Sequence, residues 1–436
     1  MQSRSIFEID LYIVISALVL LVIGILFIFS SGVTATGQIA SREYLRQIIW
    51  ATTGLIIMLS VTFLDYRLFY RLAIIFFVVT TIVLLFTPVL GRSVHGARRW
   101  LGIGQLGAQP SEFAKLSLIL FLARFYSNRW KDARSLKVFL TALAITAVPI
   151  LLVLAQPDLG TAMVYFPIFL LIALFGGSRP AHILYVTCFV LALVIFTVLP
   201  FWAEHLTQRS LPFALVLTDR SAMNMLITGL VVALVLAALG LFFTRRRLFG
   251  WLLYGISIVT AAIPAAHIVR MVLRDYQIMR LVVFLNPYVD PRGAGWNIIQ
   301  SMTAVGSGGL AGKGFLQGTH SHYQYLPAQS TDFIFSILAE EWGFLGVVLV
   351  FILFGIILGR SFYVMILARD RFAGLAVAGV AAMYLFHFVV NVGMTIGMMP
   401  ITGLPLLLLS FGGSSVWTGL IGLGIVMSVY QHRYQY

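Results

Sequence analysis

The sequence predicts an all-α, polytopic membrane protein with about 12 transmembrane spans and one large extracytoplasmic loop. Of its 436 residues, 60% are hydrophobic and only 10% are charged, whereas soluble domains carry about 25% charged residues. The apolar residues gather into runs of about 20, the length that crosses a hydrocarbon core about 30 Å thick. With a mean hydropathy of +0.99, the chain has no room for a separate soluble domain.

Charged residues, glycines and prolines divide the apolar runs into spans. In chain order, the predicted spans are 11–30, 47–64, 68–90, 112–126, 136–155, 160–177, 181–202, 224–244, 249–270, 332–358, 374–397 and 405–430. The first run lacks a small-residue cleavage site, so we expect a retained span and not a signal peptide. We therefore expect one integral-membrane domain over 1–436, with 271–331 as the long extracytoplasmic loop.

Basic residues indicate the orientation and the partners of the chain. Alternate short loops hold clusters of lysines and arginines, among them Arg129, Lys131, Arg134, Arg245, Arg246, Arg247, Arg369 and Arg371. Such loops face the cytoplasm, which places both termini inside. The net charge of +14 indicates contact with anionic membrane lipids and not with nucleic acid. The single cysteine, Cys188, excludes an internal disulfide and a cysteine-rich metal site.

Motifs typical of soluble enzymes are weak in this sequence. The glycine-rich run Gly306–Gly314 fails the P-loop pattern, because Ser307 and Gly314 stand where Gly and Ser or Thr are required. The run either forms tight turns or presents its amides and Lys313 to an anion. His320 and His322 flank a serine, and a metal site would need more converging ligands.

Asp332 is the leading candidate for a catalytic residue, because it opens a long apolar run directly after the long loop. A partly desolvated carboxylate at the outer membrane boundary suits a general base. The alternative is a structural role at the start of a helix. Ser330 or Thr331 would then cap that helix, and an acid in its first turn would be stabilised by the helix dipole.

Other charged residues at the membrane have both a functional and a structural interpretation. Glu112 and Lys115 share a helix face as an i,i+3 pair, which either is a plain ion pair or holds a cavity in shape. Asp158 is either a turn carboxylate or part of a site. Two arginines precede a tryptophan at the outer end of the third span, where they either mark the interface or bind a sugar or pyrophosphate: Arg98, Arg99 and Trp100.

Together these residues resemble the SEDS family (shape, elongation, division and sporulation), and its RodA branch more than its FtsW branch. Seven segments match in order: Gly96–Trp100, Gln109–Glu112 with Lys115, Gln156–Thr161, Gly295–Ser301, Gly306–Gly309 with Gly312–Gly314, Thr331–Phe335 with Ala339–Glu341, and Gly403–Ser415. Each segment alone is a weak signal, but seven in the family's order are a strong one.

The resemblance implies a peptidoglycan glycosyltransferase of cell elongation in the bacterial cytoplasmic membrane. Such enzymes polymerise lipid II at the outer face, release undecaprenyl pyrophosphate and work with a class B penicillin-binding protein. The family's essential aspartate matches Asp332. Residues expected to bind substrate are Trp100, Arg98, Arg99, Glu112, Lys115, Asp158, Arg280 and Lys313. Cations that stabilise the pyrophosphate are sought among Arg98, Arg99, Arg274, Arg280 and Lys313. A requirement for a divalent cation stays open.

The sequence departs from the family in two places, and two other functions compete. Residues 181–248 are expected to add two spans to the family's usual ten. Ala328–Ser330 stands before Thr331, where many members carry an acid and a basic or His residue. A lipid II flippase would use carboxylates near the membrane midplane. A non-catalytic scaffold for the transpeptidase would tolerate a change at Asp332.

Overall fold

The chain is a helical, multi-pass membrane protein, as the sequence predicts. The computed structural model describes residues 9–94, 97–103, 106–206, 217, 219–272, 275–323 and 325–434. Within these residues, ten helices are long and apolar enough to cross a membrane. The chain divides into two compact units, of which the first comprises Met1–Arg179 with Gln300–Tyr436 and the second Pro180–Ile299.

All twelve predicted spans overlap a helix. The first helices are α1 (Leu11–Ser31), α2 (Glu43–Phe63), α3 (Tyr66–Leu90), α4 (Pro110–Asn128), α5 (Leu136–Leu154) and α6 (Leu159–Phe175). They are followed by α7 (Pro180–Leu206), α8 (Arg220–Thr244), α9 (Arg247–Val272), α10 (Asp275–Leu285), α11 (Trp296–Ser307), α12 (Thr319–His322), α13 (Ile334–Leu367), α14 (Arg371–Thr395) and α15 (Gly413–Gln431). Of the predicted spans, α4 and α6 are not among the ten spanning helices, because α6 is short and α4 carries Glu112 and Lys115.

Helices α14 and α15 form the centre of the first unit. Of their most apolar stretches, 72% and 83% of the residues are buried, against 17% in α3. Small residues allow this close packing, since Gly379 leaves only 2.6 Å between an added Cβ and the Ile119 side chain. The face of α3 that the protein leaves uncovered is the kind of surface that lipid covers.

The last predicted span begins too early, because α15 starts at Gly413 and not at residue 405. The preceding segment, 396–412, is irregular although its leucines Leu404 and Leu406–Leu409 are buried. Left-handed backbone at Gly403 (φ +71°) and Leu408 (φ +70°) interrupts the helix. Side chains supply the missing hydrogen bonds. The Gln47 amide, for example, donates to the Ser410 carbonyl. A hydropathy pattern does not separate such a buried irregular segment from a helix.

A small antiparallel sheet between α3 and α4 was not predicted. Its strands are β1 (Arg92–Val94), β2 (Ala97–Ile103) and β3 (Leu106–Ala108), in the order β1-β2-β3. Strands of three to seven residues are too short to stand out in an otherwise helical sequence. The sheet carries the predicted binding residues Arg98, Arg99 and Trp100 on β2.

The predicted loop 271–331 contains helices α10, α11 and α12, so it is more regular than its glycines and prolines suggest. Its location outside the cell remains a prediction, as does the two-span insertion over 181–248. In the first unit, its last third packs against a break in α13. That break lies at Gly343, whose φ of +61° and ψ of −160° are not helical.

Candidate functional site

Asp332 lies at the entrance of α13 and is half-buried. Phe333 occupies the N-cap position, and no side chain caps the helix there. The predicted capping roles of Ser330 and Thr331 are therefore wrong. The Ser330 hydroxyl instead donates to Glu43 Oε2 at 2.7 Å, and the Thr331 hydroxyl bonds a backbone carbonyl.

The main chain around Asp332 is fixed by a buried asparagine. Asn391 Nδ2 donates to the Asp332 carbonyl at 2.9 Å and to the Leu404 carbonyl at 2.8 Å. One residue before Leu404, the bare Gly403 faces the carboxylate. A Cβ added at Gly403 would lie 3.4 Å from Asp332 Oδ2. Asn391 thus joins the start of α13 to the loop that faces its carboxyl group.

A second buried network holds the same loop one residue further on. Lys115 Nζ lies 2.8 Å from both Glu112 carboxylate oxygens and 2.9 Å from His387 Nε2. Because an ammonium only donates, Nε2 is the accepting nitrogen of the imidazole. His387 Nδ1–H then donates to the Pro405 carbonyl at 2.9 Å. His387 lies one helical turn before Asn391, so one face of α14 holds the whole loop.

This burial changes the role assigned to Glu112 and Lys115. Their side chains are 0% exposed for Lys115 and 3% for Glu112. The two charges match one another, and His387 accepts a hydrogen bond from the ammonium. Both side chains lie inside the protein and not at its surface. The pair is more than a plain i,i+3 ion pair, because through His387 it also holds the Pro405 carbonyl. Whether it holds a cavity in shape stays a prediction.

Asp158 joins α6 to the small sheet. Its carboxylate caps α6 through the Thr161 amide at 3.2 Å, which the turn interpretation predicts. It also lies 3.3 Å from the Arg99 guanidinium and accepts from Gln109 Nε2 at 2.8 Å. The structure therefore brings Arg99 and Asp158 together, 59 positions apart in sequence.

The remaining residues of this cluster flank the pair. Trp100 packs over Gly107, with 3.3 Å between a ring carbon and an added Cβ, and Arg98 is exposed. The start of α6 also contacts the loop that faces Asp332. A Cβ at Gly160 would lie 2.1 Å from the Thr402 carbonyl oxygen. The loop at 402–405 therefore lies between the Asp158 helix and Asp332.

The glycine-rich run is structural. The amides of Lys313 and Gly314 donate to the carbonyls of Glu340 and Glu341, both at 3.0 Å. Beyond the break at Gly343, the amides of residues 344 and 345 donate to the carbonyls of residues 309 and 310. The run thereby satisfies the backbone of the broken helix, which membrane proteins require of irregular segments. The backbone supports the tight-turn interpretation, because the amides of Lys313 and Gly314 are already bonded to carbonyls. A role of the Lys313 ammonium toward an anion stays a prediction.

Lys313 itself is held by a buried acid. Its ammonium lies 2.7 Å from Glu340 Oε1 and 2.8 Å from the Thr319 hydroxyl. Glu340 is fully buried and also accepts from the backbone amides of Thr319 and His320 at the start of α12. Lys313 is 28% exposed, so only part of its charge faces outward.

The side chains of the two histidines have partners of their own. His320 bonds Gln300 and His322 bonds the Val33 carbonyl. In the part of the chain that the structure describes, no three His, Cys, Asp or Glu side chains converge as a metal site would require. Arg280 is an exposed residue of α10 in the second unit. Arg274 lies outside the described residues.

Sequence reasoning missed three residues near Asp332. His387 and Asn391 are uncharged, so a search for charged residues in apolar runs passes over them. Their signal is a pair of polar side chains four residues apart in an otherwise apolar helix. Arg46 was also missed; its guanidinium lies 5.2 Å from the Phe411 ring and 3.7 Å from Glu43, the residue bonded to Ser330.

Comparison with known proteins identifies the family. The profile described as "Cell cycle protein", covering FtsW, RodA and SpoVE, matches residues 10–221 and 202–435. The chain belongs to the FtsW/RodA/SpoVE family. This confirms the resemblance that the seven ordered segments predict.

Relatives of this FtsW/RodA/SpoVE protein extend over its whole length. It is 45% identical to the peptidoglycan glycosyltransferase RodA of Treponema pallidum, over 98% of this chain and 99% of that protein. It also resembles a chain from a structure of a peptidoglycan synthase complex that coordinates polymerization and crosslinking. That likeness has a TM-score of 0.64 and 28% identity, over 99% of this chain and 100% of the other. A crystal structure of the Thermus thermophilus rod shape determining protein RodA matches with a TM-score of 0.61 and 26% identity, over 99% of both chains.

Proposed function

We propose that this protein polymerises lipid II into the glycan strands of peptidoglycan at the outer face of the bacterial cytoplasmic membrane. The reaction releases undecaprenyl pyrophosphate. It serves cell elongation and the maintenance of rod shape. The name of the Treponema pallidum relative, at 45% identity over nearly the full length, supports the activity. The observation that carries the mechanism is the half-buried Asp332 at the start of α13, whose main chain is fixed by Asn391.

Asp332 acts as the general base. Its carboxylate takes the proton of the acceptor sugar hydroxyl while that oxygen attacks the anomeric carbon of the donor sugar. The bond from that carbon to the pyrophosphate oxygen breaks, and the protonated carboxyl later returns its proton to water. A general base must be held within hydrogen-bond reach of the hydroxyl whose proton it takes. The hydrogen bonds from Asn391 to the carbonyls of Asp332 and Leu404 fix the backbone of Asp332 and of the loop that faces its carboxylate.

Cations stabilise the leaving pyrophosphate. Arg98 is exposed, Arg99 is 31% exposed beside Asp158, and Lys313 keeps an exposed part beside Glu340. Arg46, next to Phe411, is a further candidate that the sequence did not suggest. Trp100 supplies a flat apolar face of the kind that sugars stack on. Arg280 remains a candidate on the second unit.

The partner is a class B penicillin-binding protein, which crosslinks the glycan that this protein makes. The likeness to a chain of a peptidoglycan synthase complex supports such an assembly. Both termini face the cytoplasm, because the short loops on that side hold clusters of lysines and arginines. The two remaining candidates, flippase and scaffold, have less support. A flippase would need Glu112 and Lys115 along a polar path, whereas both are buried in a closed network.

The decisive experiment measures glycan polymer from purified lipid II with the solubilised protein and its transpeptidase. Asp332→Asn should lower the rate by about 10²- to 10⁴-fold, the contribution of a general base. Asp290→Asn is the matched control, since that carboxylate caps a turn through the Gly293 and Ala294 amides. Polymer formation by Asp332→Asn at the wild-type rate would overturn the mechanism. Absence of polymer with the wild-type protein and its partner would favour the flippase.

A further inference from the structure

A cavity of about 460 Å³ opens in the first unit, at the side predicted to face the cytoplasm. It lies where α4, α6 and α13 end and α14 begins. Arg369 and Arg371 line one part of it, and Phe175, Met365 and Leu375 line another. Nothing in the proposed glycosyltransferase mechanism uses this cavity, and Asp332 does not line it.

The polar part of the cavity is basic. The two loops beside it, 129–135 and 368–371, contain five basic residues, all exposed, and two acidic ones. One acid is already engaged, because Asp370 caps α14 through the Ala373 amide at 2.8 Å. The Arg371 guanidinium lies 3.9 Å from the centroid of the Trp130 ring, which fixes a cation at the rim. The charge therefore favours an anionic ligand.

The apolar part of the cavity continues into a surface that the protein leaves uncovered. The lining residue Phe175 is 47% exposed. Leu174, next to Phe175 in sequence, and Ile366, next to the lining residue Met365, are 47% and 77% exposed. An exposed apolar surface of this kind can pack against an acyl chain, whereas it offers no favourable contact to a free phosphate. Trp130 at the rim is typical of the level of lipid headgroups.

We propose that this cavity binds an anionic phospholipid, with the phosphate of the headgroup between Arg369 and Arg371 and an acyl chain along Phe175 and Met365. Basic pockets between transmembrane helices on the cytoplasmic side are suited to anionic headgroups. The positive-inside trend accounts for arginines on this side, but it does not account for a cavity that joins two of them to an apolar wall.

The test compares lipid binding to the purified full-length protein by native mass spectrometry, with phosphatidylglycerol and phosphatidylcholine of the same acyl chains. We expect the wild type to retain phosphatidylglycerol preferentially. Arg369→Gln with Arg371→Gln should weaken that binding by about fivefold for each arginine removed. Arg246→Gln with Arg247→Gln is the matched control, because it removes the same charge from exposed residues outside the cavity lining.

Three results would overturn the proposal. The control pair could lower phosphatidylglycerol binding as much as the cavity pair, which would indicate the general field of the basic loops. Glycerol 3-phosphate could displace phosphatidylglycerol, which would indicate a site for free phosphate. Arg369→Lys with Arg371→Lys keeps the charge and tests folding. If that variant loses phosphatidylglycerol binding at an unchanged melting temperature, the two positive charges are not what selects the lipid, which would contradict the charge argument.

Discussion

Two carboxyl groups eight residues apart, Asp332 and Glu340, differ in how deeply they are buried. Glu340 is fully buried and accepts from the Lys313 ammonium, the Thr319 hydroxyl and two backbone amides. Asp332 is half-buried, and what Asn391 holds is its main chain. A buried charge needs several partners to remain charged. The fully buried acid organises the fold, whereas the acid at the entrance of the helix keeps an exposed part, as a group that meets a substrate must.

Glu112 extends this comparison and gives the largest expected effect on stability. Lys115→Met leaves the Glu112 carboxylate buried without its ammonium, which should lower the free energy of unfolding by about 3–5 kcal/mol. The measurement is thermal or denaturant unfolding in detergent. Glu112→Gln combined with Lys115→Met should recover part of the loss, because no buried charge remains. A double variant as unstable as Lys115→Met would show that His387, and not the ion pair, carries the network.

The direct test of the comparison exchanges each carboxylate for its amide. Glu340→Gln removes the charge opposite Lys313 and should cost about 2–4 kcal/mol of stability. Asp332→Asn should destabilise the protein less than Glu340→Gln, because Asp332 is only half-buried, while it lowers the polymerisation rate. Melting temperatures and polymer yields of both variants decide the matter. Equal destabilisation by the two changes would show that Asp332 is also a structural acid.

The break in α13 lies between Glu340 and the second half of the helix. Its contribution to stability can be tested by a substitution at Gly343. A Cβ at Gly343 would lie 2.2 Å from the Gly312 amide nitrogen, and its φ is +61°. Gly343→Ala should therefore destabilise the protein by about 1–3 kcal/mol. Gly359→Ala is the matched control on the same helix, with open space around it. It should be neutral or stabilise by up to about 1 kcal/mol. A similar melting temperature for both variants would contradict the conclusion that residues 308–314 pack tightly against the break at Gly343.

The comparison also shows what the sequence can predict. Apolar runs predict all twelve spans as helices, because burial in lipid and the helical period act within about 20 residues. The start of α15 was misplaced, since the irregular segment 396–412 is as apolar as a helix. The sheet at 92–108 was missed because its strands are short. These features depend on partners distant in sequence, such as Gln47 for Ser410.

The site follows the same division. The sequence singles out Asp332 and the pair Glu112–Lys115 because charges in apolar runs are rare and because i,i+3 spacing is local. The contact of Arg99 with Asp158 joins two segments that no local pattern relates. His387 and Asn391 carry no charge, and their targets are backbone carbonyls, which every residue has. A carbonyl that needs a donor is visible only in the folded protein.

Asn391 offers the finest test of the comparison, because it acts on Asp332 without touching a substrate. Asn391→Leu removes the donor to the Asp332 and Leu404 carbonyls, so the loop at Gly403 is free to shift against the carboxylate. A misplacement of about 1 Å costs up to about 10²-fold in rate, so we expect kcat to fall about tenfold with KM nearly unchanged. Asn128→Leu is the matched control, since that amide oxygen accepts only from the Tyr70 hydroxyl among the bonds described. Equal losses of melting temperature with a kcat loss confined to Asn391→Leu would identify Asn391 as a positioning residue. A fall in melting temperature with unchanged kcat would limit it to the fold.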